Sequence, residues 1–298
     1  MQWLLHGSGA PATLVERAPV HDDGKPLTGN GNKVQNSQQD IRKRNHRRMI
    51  RCIIAVFLAV LVPGIAGCAP DAEFPLRAAH EDDARYPWHT GVVATTFWIG
   101  EIFDPEAEDG SQETSTYDSE WLAYNGCDGI RVEGVCEADA RSGENGYAPR
   151  GTVPKENPFY LDLPYDDVNN AVAFAERAAV IPWAAEPEYA GRETDPSFSY
   201  MKNRWVRIQK GDRECYGQIE DAGPGQYQDK EYVFGDTDRR PANKNFNGAG
   251  MDVSPALNGC LGFAEVNGEN DRVDWQFVDE REVPPGPWTV VVTTRQVN

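Results

Sequence analysis

Hydrophobic and polar positions alternate with a period of two over several short segments in the second half of the chain. These segments are rich in β-branched and aromatic side chains, a pattern typical of β-strands. We predict strands at residues 91–99, 159–164, 204–210, 214–220, 271–278 and 288–294. Lys210, Gly211 and Asp212 separate two of them and predict a hairpin turn.

Helical signals are few. The alanine-rich residues 166–180 predict one short helix, and Ser254 with Pro255 predicts the start of another that ends at Leu261. Residues 101–157 are dominated by turn-forming residue types and predict a long excursion from the strands. Since strands dominate and no long amphipathic helix is present, we expect a mainly β fold. A small β-barrel with long loop insertions and one or two short helices fits this pattern.

An export signal precedes this domain. Arg47, Arg48 and Arg51 lie before the apolar residues 52–62, and Pro63 and small residues follow. A basic region, an apolar region and a small-residue cleavage site define a secretory signal. The alternative is a transmembrane helix, which needs roughly 20 apolar residues, more than this segment offers. We therefore interpret residues 49–68 as the signal, 69–90 as a polar tether and 91–298 as the folded domain.

The end of the signal, residues 65–68, resembles a bacterial lipobox. The resemblance implies cleavage before Cys68 and lipid attachment to its sulfur; the alternative is an ordinary secretory signal with an incidental cysteine. Either way we expect an extracytoplasmic protein, secreted or anchored to the membrane through lipid. Residues 1–48 are polar and lack periodicity, and we interpret them as a disordered or mis-annotated extension. The start of translation at Met1 or at Met49 is left open.

Four cysteines follow the signal, and an even count in an exported chain indicates two disulfides. They are Cys127, Cys136, Cys215 and Cys260. Three pairings are open. A bond between the first two would close a short loop, and one between the last two would join later segments of the domain. No Cys-x-x-Cys is present and only two histidines lie beyond residue 68, so we expect no metal site.

The charge of the chain is unevenly distributed. The formal net charge is −18, from 47 acidic and 29 basic residues. Residues 1–68 contain nine basic and four acidic residues, which leaves the rest of the chain at −23. Such an acidic domain repels phosphate backbones, which excludes general nucleic-acid binding. No phosphate-binding loop or Gly-x-Ser-x-Gly elbow is present, so we expect no nucleotide cofactor and no serine hydrolase site.

Three segments, residues 219–224, 250–257 and 273–286, occur in an order that resembles a known superfamily. They are similar to the Asp-x-Gly-Pro turn, the Asp-Leu-Ser-plus-helix segment and the closing strand of double-psi β-barrels. Within that superfamily the chain looks most like the single-domain expansin-like and rare-lipoprotein-A-like proteins. The resemblance covers residues 91–100 and 158–298. It implies a six-stranded double-psi β-barrel with insertions at 101–157 and 225–247.

Members of this superfamily act on polysaccharides, and include family 45 endoglucanases, lytic transglycosylases and wall-loosening expansins. The resemblance places Asp252 at the position of the family's acid and Asp221 in the conserved turn of the family. It also points to Asp118, since the endoglucanases have a second carboxylate near there. Two neighbouring carboxyl groups raise each other's pKa, which suits one of them to protonate a glycosidic oxygen. The alternative is structural, because aspartates cap turns and precede helix N-termini.

Aromatic and amide side chains in the second insertion are candidate sugar contacts. The rings of Tyr227 and Tyr232 suit stacking on sugar faces, and Asn243 and Asn247 suit hydrogen bonds to hydroxyls; the alternative is a solvated loop. The expected function is binding, with cleavage or loosening, of polysaccharide of the peptidoglycan or β-glucan type. The alternative is a non-catalytic structural or protein-interaction lipoprotein.

Overall fold

The computed structural model describes residues 85–107 and 110–298. The predicted extension at 1–48, the signal at 49–68, the lipidation site Cys68 and most of the tether lie outside the described residues. Within the described ranges, no helix has the length and apolar character needed to cross a bilayer.

Six strands form a closed mixed barrel, and a separate two-stranded hairpin lies in the first insertion. The strands of the described chain are β1 (His89–Thr96), β2 (Ile130–Val132), β3 (Val135–Glu137), β4 (Tyr160–Leu163), β5 (Trp205–Lys210), β6 (Arg213–Ala222), β7 (Met251–Val253) and β8 (Asp271–Val278). The barrel order is β1-β7-β4-β6-β5-β8, and β2 pairs with β3. The β1–β7 and β4–β6 pairs are parallel, and the other barrel pairs are antiparallel.

Alternation along the strands divides the side chains between the barrel interior and its outer wall. In β8, Val273, Trp275 and Phe277 belong to the hydrophobic core, whereas Asp274 and Gln276 alternate with them. The two polar residues are also buried. At these two positions the outer wall is therefore covered by other parts of the chain.

The predicted strand at 288–294 is wrong. Residues Pro287–Thr289 form a 3₁₀ turn, and the rest of the segment is irregular. Both edges of β8 are already paired, with β1 and β5, so the closed barrel has no place for another strand. The segment packs outside the barrel, where the Thr293 backbone N–H donates to Gln218 Oε1 at 2.9 Å.

Four short α-helices lie in the described chain: α1 (Trp121–Asn125), α2 (Ala171–Val180), α3 (Lys230–Val233) and α4 (Pro255–Leu261). Both predicted helices are confirmed, although α2 begins later than residue 166. Asn170 caps α2 by accepting from the Val172 and Ala173 backbone N–H groups. Ser254 caps α4 as predicted, and Pro255 occupies its first turn.

The described residues contain two disulfides, Cys127–Cys136 and Cys215–Cys260. The first fastens the β2–β3 hairpin within the insertion, and the second joins β6 to α4 beside the core. Both persist only in an oxidising environment, so they indicate an extracytoplasmic protein.

Candidate functional site

Three aspartates and a threonine form one row across four neighbouring barrel strands. Asp162 on β4 lies directly opposite Asp252 on β7 and Asp221 on β6. Asp252 in turn lies opposite Thr95 on β1. Since directly opposite residues project from the same face of a sheet, the four side chains are neighbours. We call these four residues the Asp row.

A β-bulge creates this alignment. Leu161 pairs with Ile219, but the next pair is Asp162 with Asp221, so Glu220 is the extra residue. Bulges redirect side chains and are common beside functional sites. Without the bulge Asp162 would face Glu220, whose carboxylate instead accepts from Lys202 Nζ at 2.6 Å.

The Asp row lies on the outer wall of the barrel, because Leu161 and Leu163, on either side of Asp162, belong to the interior core. Asp162 and Asp221 are 3% and 5% exposed, whereas Asp252 is only half-buried. Asp252 is therefore the aspartate of the row that solvent and a ligand reach most easily.

Hydrogen bonds fix each carboxyl group in place. The backbone N–H of Asp252 donates to Asp162 Oδ1 at 2.8 Å, and the Thr95 hydroxyl donates to Asp252 Oδ1. Asp221 Oδ1 accepts from the backbone N–H groups of Thr116 at 2.7 Å and Ala222 at 2.8 Å. The row is therefore held before any ligand arrives.

Burial and mutual repulsion keep protons on the row near neutral pH. Burial raises the pKa of Asp221 to about 6, against the opposing effect of its backbone hydrogen bonds. Burial, and then the charge of Asp221, raises the pKa of Asp252 to about 7. The pKa of Asp162 is raised well above its usual value by burial and by the charges of both neighbours. A partly accessible carboxyl group that retains its proton near pH 7 is suited to general acid catalysis.

A fourth carboxyl group, that of Glu101, comes from the start of the first insertion. Its pKa is raised to about 8, by burial first and then by the charge of Asp252. Ile102 and Phe103 follow it and are 48% and 55% exposed, so an apolar surface adjoins Glu101 along the chain. Together with Thr116, Glu101 shows that the 101–157 insertion contributes directly to this site.

The glycine of the Asp-x-Gly-Pro turn has a steric role here. A Cβ atom on Gly223 would lie 2.5 Å from Asp162 Oδ2, closer than any real contact allows. Only glycine lets the turn approach the middle carboxylate of the row this closely.

Asp118 lies in a different environment from the row. Its carboxylate forms an ion pair with Arg295 at 3.1 Å and accepts from Asn298 Nδ2 at 3.1 Å. It also accepts from the Glu120 backbone N–H at 2.8 Å, and the residue is 1% exposed. These contacts join the first insertion to the C-terminal segment, which is a structural role; the catalytic role stays a prediction.

The predicted sugar contacts divide into buried and exposed residues. Tyr232 is fully buried, where its hydroxyl donates to the Gly250 carbonyl and accepts from Trp275 Nε1. Asn243 is 3% exposed, and its side chain holds its own loop. These two residues are structural, because their polar atoms are engaged inside the protein. Tyr227, 47% exposed, and Asn247 remain at the surface, and their sugar contacts stay predictions.

Four contributors to the site belong to none of the motifs recognised in the sequence: Asp162, Thr95, Glu101 and Thr116. One signal was available for Asp162, which is a charged residue in the middle of the otherwise apolar strand at 159–164. The other three are ordinary polar residues whose importance depends on strand register and on the path of a loop.

In the described residues, no group of three or more histidine, cysteine, aspartate or glutamate side chains is arranged to hold a metal ion. No family model and no curated protein matches this chain. The class of protein is thus defined by its architecture, a closed six-stranded mixed β-barrel with a row of carboxyl groups on its outer wall.

Proposed function

We propose that this protein is an exported, lipid-anchored double-psi β-barrel protein that cleaves glycosidic bonds in cell-envelope or extracellular polysaccharide. The observation that carries the proposal is the Asp row, in which Asp252 is half-buried and has a pKa of about 7. Two parallel strand pairs within a closed six-stranded barrel are compatible with the double-psi topology and support this assignment.

Asp252 is the general acid in this proposal. Its proton passes to the glycosidic oxygen, and the bond from that oxygen to the anomeric carbon breaks with its electron pair remaining on oxygen. Water, or a hydroxyl of the same sugar, then adds to the anomeric carbon and returns a proton to the Asp252 carboxylate. The Thr95 hydroxyl, which donates to Asp252 Oδ1, orients the carboxyl group during both steps.

Asp221 and Asp162 support this acid electrostatically. Ionised Asp221 makes the loss of the Asp252 proton unfavourable until positive charge develops on the sugar. That developing charge is then stabilised by the negative row, so the favourable interaction is strongest in the transition state. Asp162 holds the Asp252 backbone through its 2.8 Å hydrogen bond.

The acidity of the domain supports a neutral or cationic polymer over a strongly anionic one. Residues 69–298 carry a formal charge of −23, and like charges repel within about 8 Å at physiological ionic strength.

The test is to incubate the full chain with insoluble peptidoglycan and with β-glucans, and to measure new chain ends and retained protein. Asp252→Asn preserves the acceptor for Thr95 but carries no transferable proton, so we expect a loss of about 10²-fold or more in rate. Asp212→Asn, in the exposed β5–β6 turn, is the matched control and should retain full activity. Cleavage by Asp252→Asn at the wild-type rate, or no new ends from any polymer, would contradict the catalytic proposal.

The second candidate is a non-catalytic binding or loosening protein. It is favoured by the burial of Asp162 and Asp221 and by the two backbone N–H groups bonded to Asp221, since these are also features of structural aspartates. This candidate predicts retention of the protein on polymer without new chain ends. A purely structural lipoprotein predicts neither retention nor new ends.

A further inference from the structure

A cavity of about 1000 Å³ lies on another part of the outer wall. Its floor is a second row, formed by Gln218 on β6, Trp205 on β5 and Val278 on β8, which lie directly opposite one another. Arg85 and residues from 186–204, 279–281 and 292–296 line the rest of it. No described lining residue belongs to the Asp row, so this cavity is a separate feature.

The size of the cavity suits a ligand larger than one sugar. Ligand pockets in proteins generally have volumes of about 300–1,000 Å³, and this cavity lies at the upper end of that range. Its floor residues are each 5% exposed or less, so the floor of the cavity is formed by well-packed side chains of the barrel wall.

Every cationic side chain that lines the cavity already has an acidic partner. The pairs are Arg85–Glu186 at 2.5 Å, Lys202–Glu220 at 2.6 Å, Arg204–Asp279 at 2.6 Å and Arg281–Asp279 at 3.1 Å. The pairs of Lys202 and Arg204 are buried, so an anionic ligand that separated either of them would leave a buried charge unpaired, whereas Arg85 and Arg281 are largely exposed. Glu188 and Glu280 add exposed carboxylates at the cavity, and neither forms a salt bridge within the described residues.

The remaining lining is aromatic or neutral and polar. Phe198 provides a half-buried ring, the rings of Tyr189 and Trp205 form largely buried parts of the lining, and Asn203 and Thr294 provide amide and hydroxyl groups. Asn203 Oδ1 has no hydrogen-bond partner in the structure. Aromatic surfaces beside neutral hydrogen-bonding groups match the two kinds of surface that a sugar presents, its C–H faces and its hydroxyls.

We infer that this cavity binds a segment of a neutral glycan, at a site distinct from the Asp row. The ligand class rests on the proposed function, but the location does not. A polymer held here is retained by the domain whether or not the Asp row cleaves it.

The test is calorimetric titration of the full chain with soluble neutral oligosaccharides, cellohexaose and chitohexaose, combined with NMR mapping of the shifted amides. Thr294→Trp fills the cavity from an exposed position, so the fold is retained and we expect at least 10-fold weaker binding. Phe198→Ala removes one ring surface and should weaken binding as well. Thr237→Trp, at an exposed threonine that does not line the cavity, is the matched control.

Asp252→Asn separates this inference from the catalytic proposal. Binding that persists in Asp252→Asn and is lost in Thr294→Trp supports the cavity site, even if no polymer is cleaved. The inference is overturned if Thr294→Trp binds as tightly as wild type, or if Asp252→Asn abolishes binding. Absence of binding to both oligosaccharides, or tighter binding of an anionic polygalacturonate oligomer, would overturn it equally.

Discussion

Replacing Asp221 with asparagine removes one negative charge from the Asp row while preserving the acceptor oxygen for Thr116 and Ala222. The pKa of Asp221 is about 6 in the folded protein and 3.8 as its ordinary value. Between these two pH values the folded state therefore binds more protons at this site than the unfolded state does. The contribution of this proton to the free energy of unfolding is present below pH ~4 and is lost as the pH rises through 6. At about 1.4 kcal/mol per pKa unit, the loss amounts to about 3 kcal/mol.

The expected result is a pH-dependent difference between the two proteins. From pH 4 to pH 7.5, the wild-type free energy of unfolding should fall by about 3 kcal/mol relative to Asp221→Asn. The effect on Asp252 has the same sign, because the Asp221 charge contributes to the raised pKa of Asp252. Burial lowers the pKa of His89 to about 4, which acts in the opposite direction, but His89 is common to both proteins and cancels in the difference.

Urea unfolding at half-unit pH steps, followed by tryptophan fluorescence and circular dichroism, measures this difference, provided that the slopes with urea agree. Asp212→Asn, in the solvent-exposed β5–β6 turn, is the control for the loss of a surface carboxylate. A wild-type minus Asp221→Asn difference that is constant with pH, or that increases, would refute the description of the row as a set of proton-retaining carboxyl groups.

Three further predictions concern the scaffold. The Cys215–Cys260 disulfide spans 45 residues, so replacing both cysteines with alanine should lower the free energy of unfolding by about 4 kcal/mol in urea titrations; a loss below ~1 kcal/mol would contradict this. Lys202→Met leaves the buried Glu220 without its 2.6 Å partner, and should cost about 3–5 kcal/mol at pH 7, whereas the double variant Lys202→Met with Glu220→Leu should cost less. An equal or larger loss in that double variant would show that the pair itself is stabilising. Asn170→Ala removes the α2 cap and should cost about 1 kcal/mol by thermal or urea unfolding, whereas Asn170→Asp should retain most of the stability.

The barrel could be predicted from the sequence because its strands have local signals. The alternation in residues 204–210 and 214–220, with a glycine turn between them, matches the β5–β6 hairpin. The prediction of a strand at 288–294 is wrong because composition indicates strand propensity, but does not indicate whether the sheet has a free edge. In a closed barrel that depends on the pairing of β8 with β1 and β5.

The candidate site could be predicted only in part. The superfamily resemblance points to Asp221 and Asp252, and the structure brings both into one row. The role of Asp162 could not be predicted, because its position opposite Asp221 depends on a bulge at Glu220 that no local pattern indicates. Tyr232 is a candidate sugar contact because it lies in the polar insertion between the two aspartates, yet helix α3 places it in the core against Trp275.

The most direct test of the central claim is the pH–rate profile of polymer cleavage by the full chain, with wild type and Asp221→Asn measured side by side. If Asp252 is the acid, the rate should fall above a pH of about 7, as its proton is lost. In Asp221→Asn the same fall should occur at lower pH, because the charge that helps to raise the pKa of Asp252 is gone. A rate that is constant or increases from pH 5 to pH 9, or a fall at the same pH in both proteins, would contradict the account.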